Sequence, residues 1–216
     1  IREIDHVQII RIGTKVPAFN PFRILNDPSL LEMFKTYSTS EKKIYIMAHF
    51  NHPRELTPEA IEGLNLLMES GVSLVNQTPM VKGVNDDPEV LAELFSKLSY
   101  IGVPPYYVFL CRPTLGNETY SVPVERGYEI FEKSRTLCSG LAKRARLVMS
   151  HESGKIEVLG MSEDQIFFKF LRAADKINDA RFMAFFRNPE ACWFDDYQEA
   201  SDEFSLFSQT VRAGCS

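Results

Sequence analysis

The chain has 216 residues, with 24 Lys+Arg against 29 Asp+Glu for a formal charge of −5; apolar residues make up 44% and charged residues 25%. This is ordinary globular composition, enough for one domain or one domain and an appendage, and it excludes disordered, collagen-like and disulfide-rich chains. No apolar run approaches the ~18 residues of a membrane span, and mild acidity without a Lys/Arg block argues against a nucleic-acid partner.

The sequence opens on Ile1 and enters a strand-like stretch almost at once, so it reads as a piece of a longer chain. Short runs rich in Val, Ile and aromatics recur at 7–12, 44–48, 72–75, 106–110 and 146–149. Their length and continuity predict strands buried on both faces. Asp27-Pro28, Thr57-Pro58-Glu59 and Asp87-Pro88-Glu89 place an N-cap before a proline at the first helical position, so a helix is expected after each. Another is expected over about 124–137. Ser162-x-x-Gln165 reads as a capping box, and 166–185 as one long aromatic-rich helix. Beyond Asn188-Pro189, including Trp193, no period is clear.

Strand–helix alternation predicts right-handed βαβ units and a parallel sheet. The fold class expected is α/β: a partial (β/α) barrel over 1–160, followed by a helical C-terminal extension over 161–216. A barrel cut partway leaves unpaired strand edges, which predicts a homo-oligomer unless the 166–185 helix covers one of them. The four cysteines, Cys111, Cys138, Cys192 and Cys215, form no C-x-x-C pair. Their spacing fits a reducing compartment, read here as the cytoplasm.

Polar residues gather where the strands end: Arg11 and Thr14, His49, Asn76-Gln77, Arg112, then His151, Glu152 and Lys155. In parallel α/β folds ligands bind at the carboxyl ends of strands, so these groups would converge on one face, although every strand end has polar residues. His49 and His52 invite a zinc reading, but no thiolate partner is near and the segment is a turn, which argues against a metal site. Ser153-Gly154-Lys155 lacks the first glycine of a phosphate-binding loop. Lys155 is either a solvated lysine or one able to form a Schiff base with a carbonyl cofactor.

The ordered series I-I-R-I-G-T-K-V-P (9–17), H-F-N-H-P (49–53), N-Q-T (76–78), G-V-N-D-D-P-E-V (83–90), P-Y-Y-V-F-L-C (105–111) and S-G-K-I (153–156) resembles the lysine 2,3-aminomutase family. The resemblance covers roughly residues 1–160. It implies a radical S-adenosylmethionine enzyme that also uses pyridoxal phosphate, its four-iron four-sulfur cluster bound by a three-cysteine loop upstream of the match. By position, His49 and Gln77 fall on residues lining the S-adenosylmethionine site, and Phe109 on an aromatic beside it. Lys155 falls on the lysine that forms the internal aldimine. The glycine run that usually precedes that lysine is mostly replaced by His151-Glu152-Ser153.

Lysine-specific members hold the substrate's distal ammonium with two aspartates. The first aligns with Arg112, and the second falls near Met149-Ser150, where no carboxylate stands. A cation facing a cation at 4 Å costs on the order of 1–4 kcal/mol. The expected substrate is therefore a small amino acid with an anionic or neutral side chain rather than free lysine, unless Arg112 turns outward to an acid such as Glu118. The function implied is a 1,2-amino shift on that amino acid, an isomerase activity of the longer parent. A 216-residue piece without cluster ligands is expected to be inactive alone. The alternatives are an interaction module that has lost the chemistry, and a radical enzyme modifying a lysine of a partner protein.

Overall fold

Asp27, Thr57 and Asp87 each accept a backbone N–H from the first turn of the helix that follows, those of Leu30, Ala60 and Val90 respectively. Each is followed by a proline, whose fixed φ suits that position. The computed structural model describes residues 1–200. In chain order it runs β1 (Ile10–Thr14), α1 (Val16–Phe19), α2 (Phe22–Leu25), α3 (Pro28–Tyr37), β2 (Ile44–Ala48), α4 (Pro58–Glu69), β3 (Ser73–Met80), α5 (Pro88–Tyr100), β4 (Pro105–Leu110), α6 (Val124–Thr136), β5 (Arg146–His151), β6 (Gly154–Met161), β7 (Gln165–Ala173) and β8 (Phe182–Phe186).

All eight strands form one sheet in sequence order. β1 to β5 pair in parallel, and β5 to β8 pair antiparallel. Sequential parallel strands joined by right-handed crossovers put their helices on one face of the sheet. Burial follows: along β3, Leu74, Asn76, Thr78 and Met80 are buried, while Ser73, Val75, Gln77 and Pro79 on the other, open face are half-buried. Two apolar clusters fill the helix side. Ile44, Ile46, Leu64, Leu67 and Leu98 belong to the first, and Met80, Phe95, Leu110, Phe131, Phe168 and Trp193 to the second. Among the described residues no helix is long and apolar enough to cross a membrane.

The expected helical extension is not there: 166–185 forms two antiparallel strands, and the sheet continues unbroken past residue 160. The burial period decides it. Ile166, Phe168 and Phe170 are buried and alternate with half-buried Phe167 and Lys169, which is the period of a strand. Phe168 and Phe185 meet edge-on at 5.6 Å across β7 and β8, the kind of cross-strand aromatic contact that stabilises sheets. Ser162 does bond to Gln165, accepting its N–H at 3.1 Å and donating its own N–H to the Gln165 carbonyl at 2.8 Å. That pattern closes the β6–β7 turn; a serine that reaches three residues on serves turns as well as helix caps. No helix therefore covers a sheet edge there. Instead the outer edge of β8 pairs with 198–200, where Phe186 N–H donates to the Gln198 carbonyl and Ala200 N–H to that of Ala184, both at 3.0 Å. The remainder of the expected extension, 201–216 with Cys215, lies outside the described residues.

A buried ion pair ties the antiparallel part to the helix layer. Glu125 on α6 is 3% exposed. Its Oε2 accepts from Arg187 Nε at 2.9 Å, with Arg187 Nη2 also 2.9 Å away, and its Oε1 accepts the Asn188 N–H at 2.7 Å.

Candidate functional site

Lys155 is the second residue of β6 and pairs with Ser150 across the β5–β6 hairpin. Its side chain lies on the open face, with Nζ 4.2 Å from the Tyr107 ring centroid and 5.0 Å from that of Phe109. Both aromatics come from β4, where they alternate with buried Val108 and Leu110. Arg11 of β1, Arg172 of β7 and Lys155 line a single cleft of about 300 Å³ with Tyr107, Gly154 and Ala173. In a flat sheet β1 and β6 would lie about 24 Å apart, so the sheet curls strongly around its open face. No carboxylate lines this cleft, and neither arginine side chain forms an ion pair among the described residues. Burial, then the nearby charge of Arg11, pushes the Lys155 ammonium below the ordinary lysine range. The Tyr107 hydroxyl is pushed up to about 12, mainly by burial, so its ring stays neutral beneath the amine.

Gln77 is a half-buried residue of the open face of β3, and His49 is the first residue after β2. Ala48, the last residue of β2, pairs with Asn76, so His49 and Gln77 each directly follow a paired residue. The His49 imidazole is held below the usual histidine range by burial first and by the charge of Lys15 second, which favours its neutral form. The loop it opens is held entirely by its neighbours. His49 N–H donates to the Thr14 carbonyl, and Lys15 Nζ to that of His49. Asn76 takes both backbone groups of Phe50. Glu55 Oε2 accepts the N–H groups of Asn51 and His52, and its Oε1 is 2.6 Å from Lys15 Nζ. Asn85 Nδ2 donates to the Asn51 carbonyl and Glu55 N–H to that of His52. Every backbone polar group from His49 to His52 is thus engaged.

Lys155 and Phe109 are together, and His49 and Gln77 directly follow Ala48 and Asn76, which pair across β2 and β3. Arg112 follows the carboxyl end of β4, its side chain exposed, and its carbonyl accepts from Asn117 Nδ2 at 2.8 Å. Glu118 accepts the Gly116 N–H instead of meeting Arg112. Among the described residues no group of three or more His, Cys, Asp or Glu is placed to hold a metal ion. Sequence reasoning missed Arg172 and Tyr107 as neighbours of Lys155, and the Lys15–Glu55 pair as well. Arg172 was hidden by the expected helix. Tyr107 carried a signal, since alternation in β4 puts it on the same face as Phe109.

No protein-family profile matches the chain. A protein of Aquifex aeolicus that carries the name L-lysine 2,3-aminomutase provisionally is 56% identical over 205 residues, covering 94% of this chain and 55% of the relative. Relatives of that name share 35–56% identity with the sequence. The chain belongs to the lysine 2,3-aminomutase family. Within that family it is similar to more than one specificity. A glutamate 2,3-aminomutase of Clostridioides difficile is 35% identical over 154 residues, 71% of this chain and 35% of the relative. Among solved structures, a radical SAM methyltransferase of Sphaerobacter thermophilus aligns at a TM-score of 0.42 and 17% identity, over 56% of this chain and 38% of the other. The chain spans about half the length of the Aquifex family member, and less of the other.

Proposed function

We propose that this chain is the part of a radical S-adenosylmethionine aminomutase that carries the cofactor lysine, and that the parent moves an amino group between adjacent carbons of a small amino acid. The five parallel strands would then be the later strands of a (β/α) barrel, and the curled open face its interior. One observation carries this reading: a lysine of lowered proton affinity stands over two aromatic rings in a cleft lined by two further cations and no acid. Those residues fit pyridoxal phosphate, which presents a carbonyl, a flat ring and a phosphate. Lys155 would hold it covalently, Tyr107 and Phe109 would face its ring, and Arg11 and Arg172 would attract its phosphate. When bound, pyridoxal phosphate supplies the π-system that carries the amine, and S-adenosylmethionine with a four-iron four-sulfur cluster supplies the hydrogen-abstracting radical. Neutral His49, together with Gln77, would bind and orient S-adenosylmethionine, with Phe109 bordering that site. Borohydride reduction of the full-length protein with pyridoxal phosphate, followed by peptide mapping, tests the assignment. The label is expected on Lys155, and a label elsewhere overturns it.

Arg112 would set substrate choice. A guanidinium at the strand end clamps a carboxylate through two hydrogen bonds and repels an ammonium, and the similarity to a glutamate 2,3-aminomutase supports an acidic substrate. The full-length enzyme is expected to prefer glutamate over lysine. Arg112→Asp is expected to lower the kcat/KM ratio of glutamate to lysine by about tenfold or more, as loss of one charge contact of 1–4 kcal/mol implies, with pyridoxal phosphate still on Lys155. An unchanged ranking would show that Arg112 does not read the substrate.

The edge of β1 pairs only with β2 among the described residues, and an open edge favours association. The 216-residue chain is expected to sediment as an oligomer; a monomer across micromolar concentrations counts against it.

A further inference from the structure

Lys155 sits one residue beyond the tight β5–β6 turn, whose loop is only Glu152-Ser153. β7 holds this turn from one side. Ala174 N–H donates to the Ser153 carbonyl at 2.7 Å. Gly154 has φ +143°, and a Cβ there would collide with the Arg172 carbonyl oxygen, so only glycine allows so close an approach. The turn is held from another side by His151, whose side chain is 7% exposed. Its Nδ1 lies 2.7 Å from Ser153 Oγ and accepts the Ser153 N–H at 3.1 Å. Because Nδ1 must accept that N–H, the proton of the neutral ring belongs on Nε2. Nε2 is 3.0 Å from both carboxylate oxygens of Asp195. The ring also packs against Phe194 and Trp193, with centroids at 5.4 and 6.1 Å.

The partner segment is itself fixed. Asp196 Oδ2 accepts the N–H groups of Cys192 and Trp193 at 2.9 Å each, and Asn188 Nδ2 donates to the Asp196 carbonyl at 3.0 Å. Asn188 and Arg187 are in turn anchored on Glu125. A continuous path of hydrogen bonds therefore runs from α6 through 187–196 to the hairpin that carries Lys155. Where relatives are expected to have a glycine run, this chain has a histidine that links turn and strap.

We propose that His151 is a positioning residue for Lys155, and that 187–196 is a strap which holds the lysine hairpin through Asp195. The proposal rests on the reading of Lys155 as the cofactor lysine. A hairpin ordered in advance does not pay the entropy of ordering when the amine meets its carbonyl partner. The strap gives the antiparallel extension a role at the site, though none of its strap residues faces the cleft.

Pyridoxal phosphate capture by the full-length protein tests it, read from absorbance and from borohydride labelling at Lys155. His151→Ala and Asp195→Ala are each expected to slow capture about fivefold to tenfold, near the value of one charge-assisted hydrogen bond reduced for the exposure of Asp195. Asp195→Asn keeps an acceptor for Nε2–H and is expected to stay within about twofold of the wild type. The double variant His151→Ala/Asp195→Ala should be no slower than His151→Ala alone, because both remove the same link. Alanine variants that capture as fast as the wild type overturn the strap, as does Asp195→Asn as slow as Asp195→Ala. A wild-type label on another lysine overturns the assignment of Lys155 instead, so the two failures are distinct.

Discussion

Arg187→Ala is expected to destabilise the protein by about 3–5 kcal/mol, because it strands the Glu125 carboxylate in the interior. Glu125 is 3% exposed, and its Oε2 has the Arg187 guanidinium as its partner at 2.9 Å. The Asn188 N–H satisfies only the other oxygen. For a domain of this size the loss corresponds to a fall in Tm of roughly 6–20 °C. Arg187→Lys should fall between, since an ammonium keeps the charge but not the two-pronged approach. Calorimetry or thermal circular dichroism measures both. A shift below about 2 °C for Arg187→Ala would mean that the pair does not hold the strap to α6.

Lys155→Met is expected to abolish covalent capture of pyridoxal phosphate at this site. It should lower amino-acid turnover by the full-length enzyme at least about 10²-fold, the small end of what a positioned reacting group contributes. Methionine fills similar volume over Tyr107 and Phe109, so the fold should persist while the amine is lost. The wild-type rate also has a defined pH dependence. Burial and Arg11 both disfavour the ammonium, and the neutral amine is the nucleophile. Capture should therefore rise with pH through a midpoint below the ~10.4 of an ordinary lysine. Arg11→Gln removes one of the two causes and should move that midpoint upward. A midpoint at the ordinary value in the wild type would mean that the amine is solvated.

The parallel half of the fold was legible in the sequence, and the antiparallel half was not. Asp27, Thr57 and Asp87 each join a capping side chain to a following proline, a combination with few other uses, and all three open helices. The runs at 44–48 and 106–110 lie in strands β2 and β4. The stretch 166–185 misled because aromatics at Phe167, Phe168, Phe170, Phe182 and Phe185 satisfy a helical stripe about as well as an alternating one. Only the partners across the sheet choose between them. Strand-end logic needs only the order of elements, and His49 and Arg112 do follow β2 and β4 closely; Gln77, expected just past a strand, lies inside β3, whose run continues to Met80. Arg11 beside Lys155 depends on how far the sheet curls, and His151 with Asp195 on a contact 44 residues away along the chain.

The loop from His49 to His52 has one further consequence. With all its backbone N–H groups already donating inside the protein, no main-chain donor is left for a docking molecule, and any donor it needs comes from a side chain. A site read by main chain recognises its ligand whatever residues it carries, whereas this one can be retuned by a single substitution at His49, Asn51 or His52. Such a change leaves the scaffold of Lys15, Glu55, Asn76 and Asn85 in place. Rigidity of the frame and freedom to alter selectivity are here assigned to different residues.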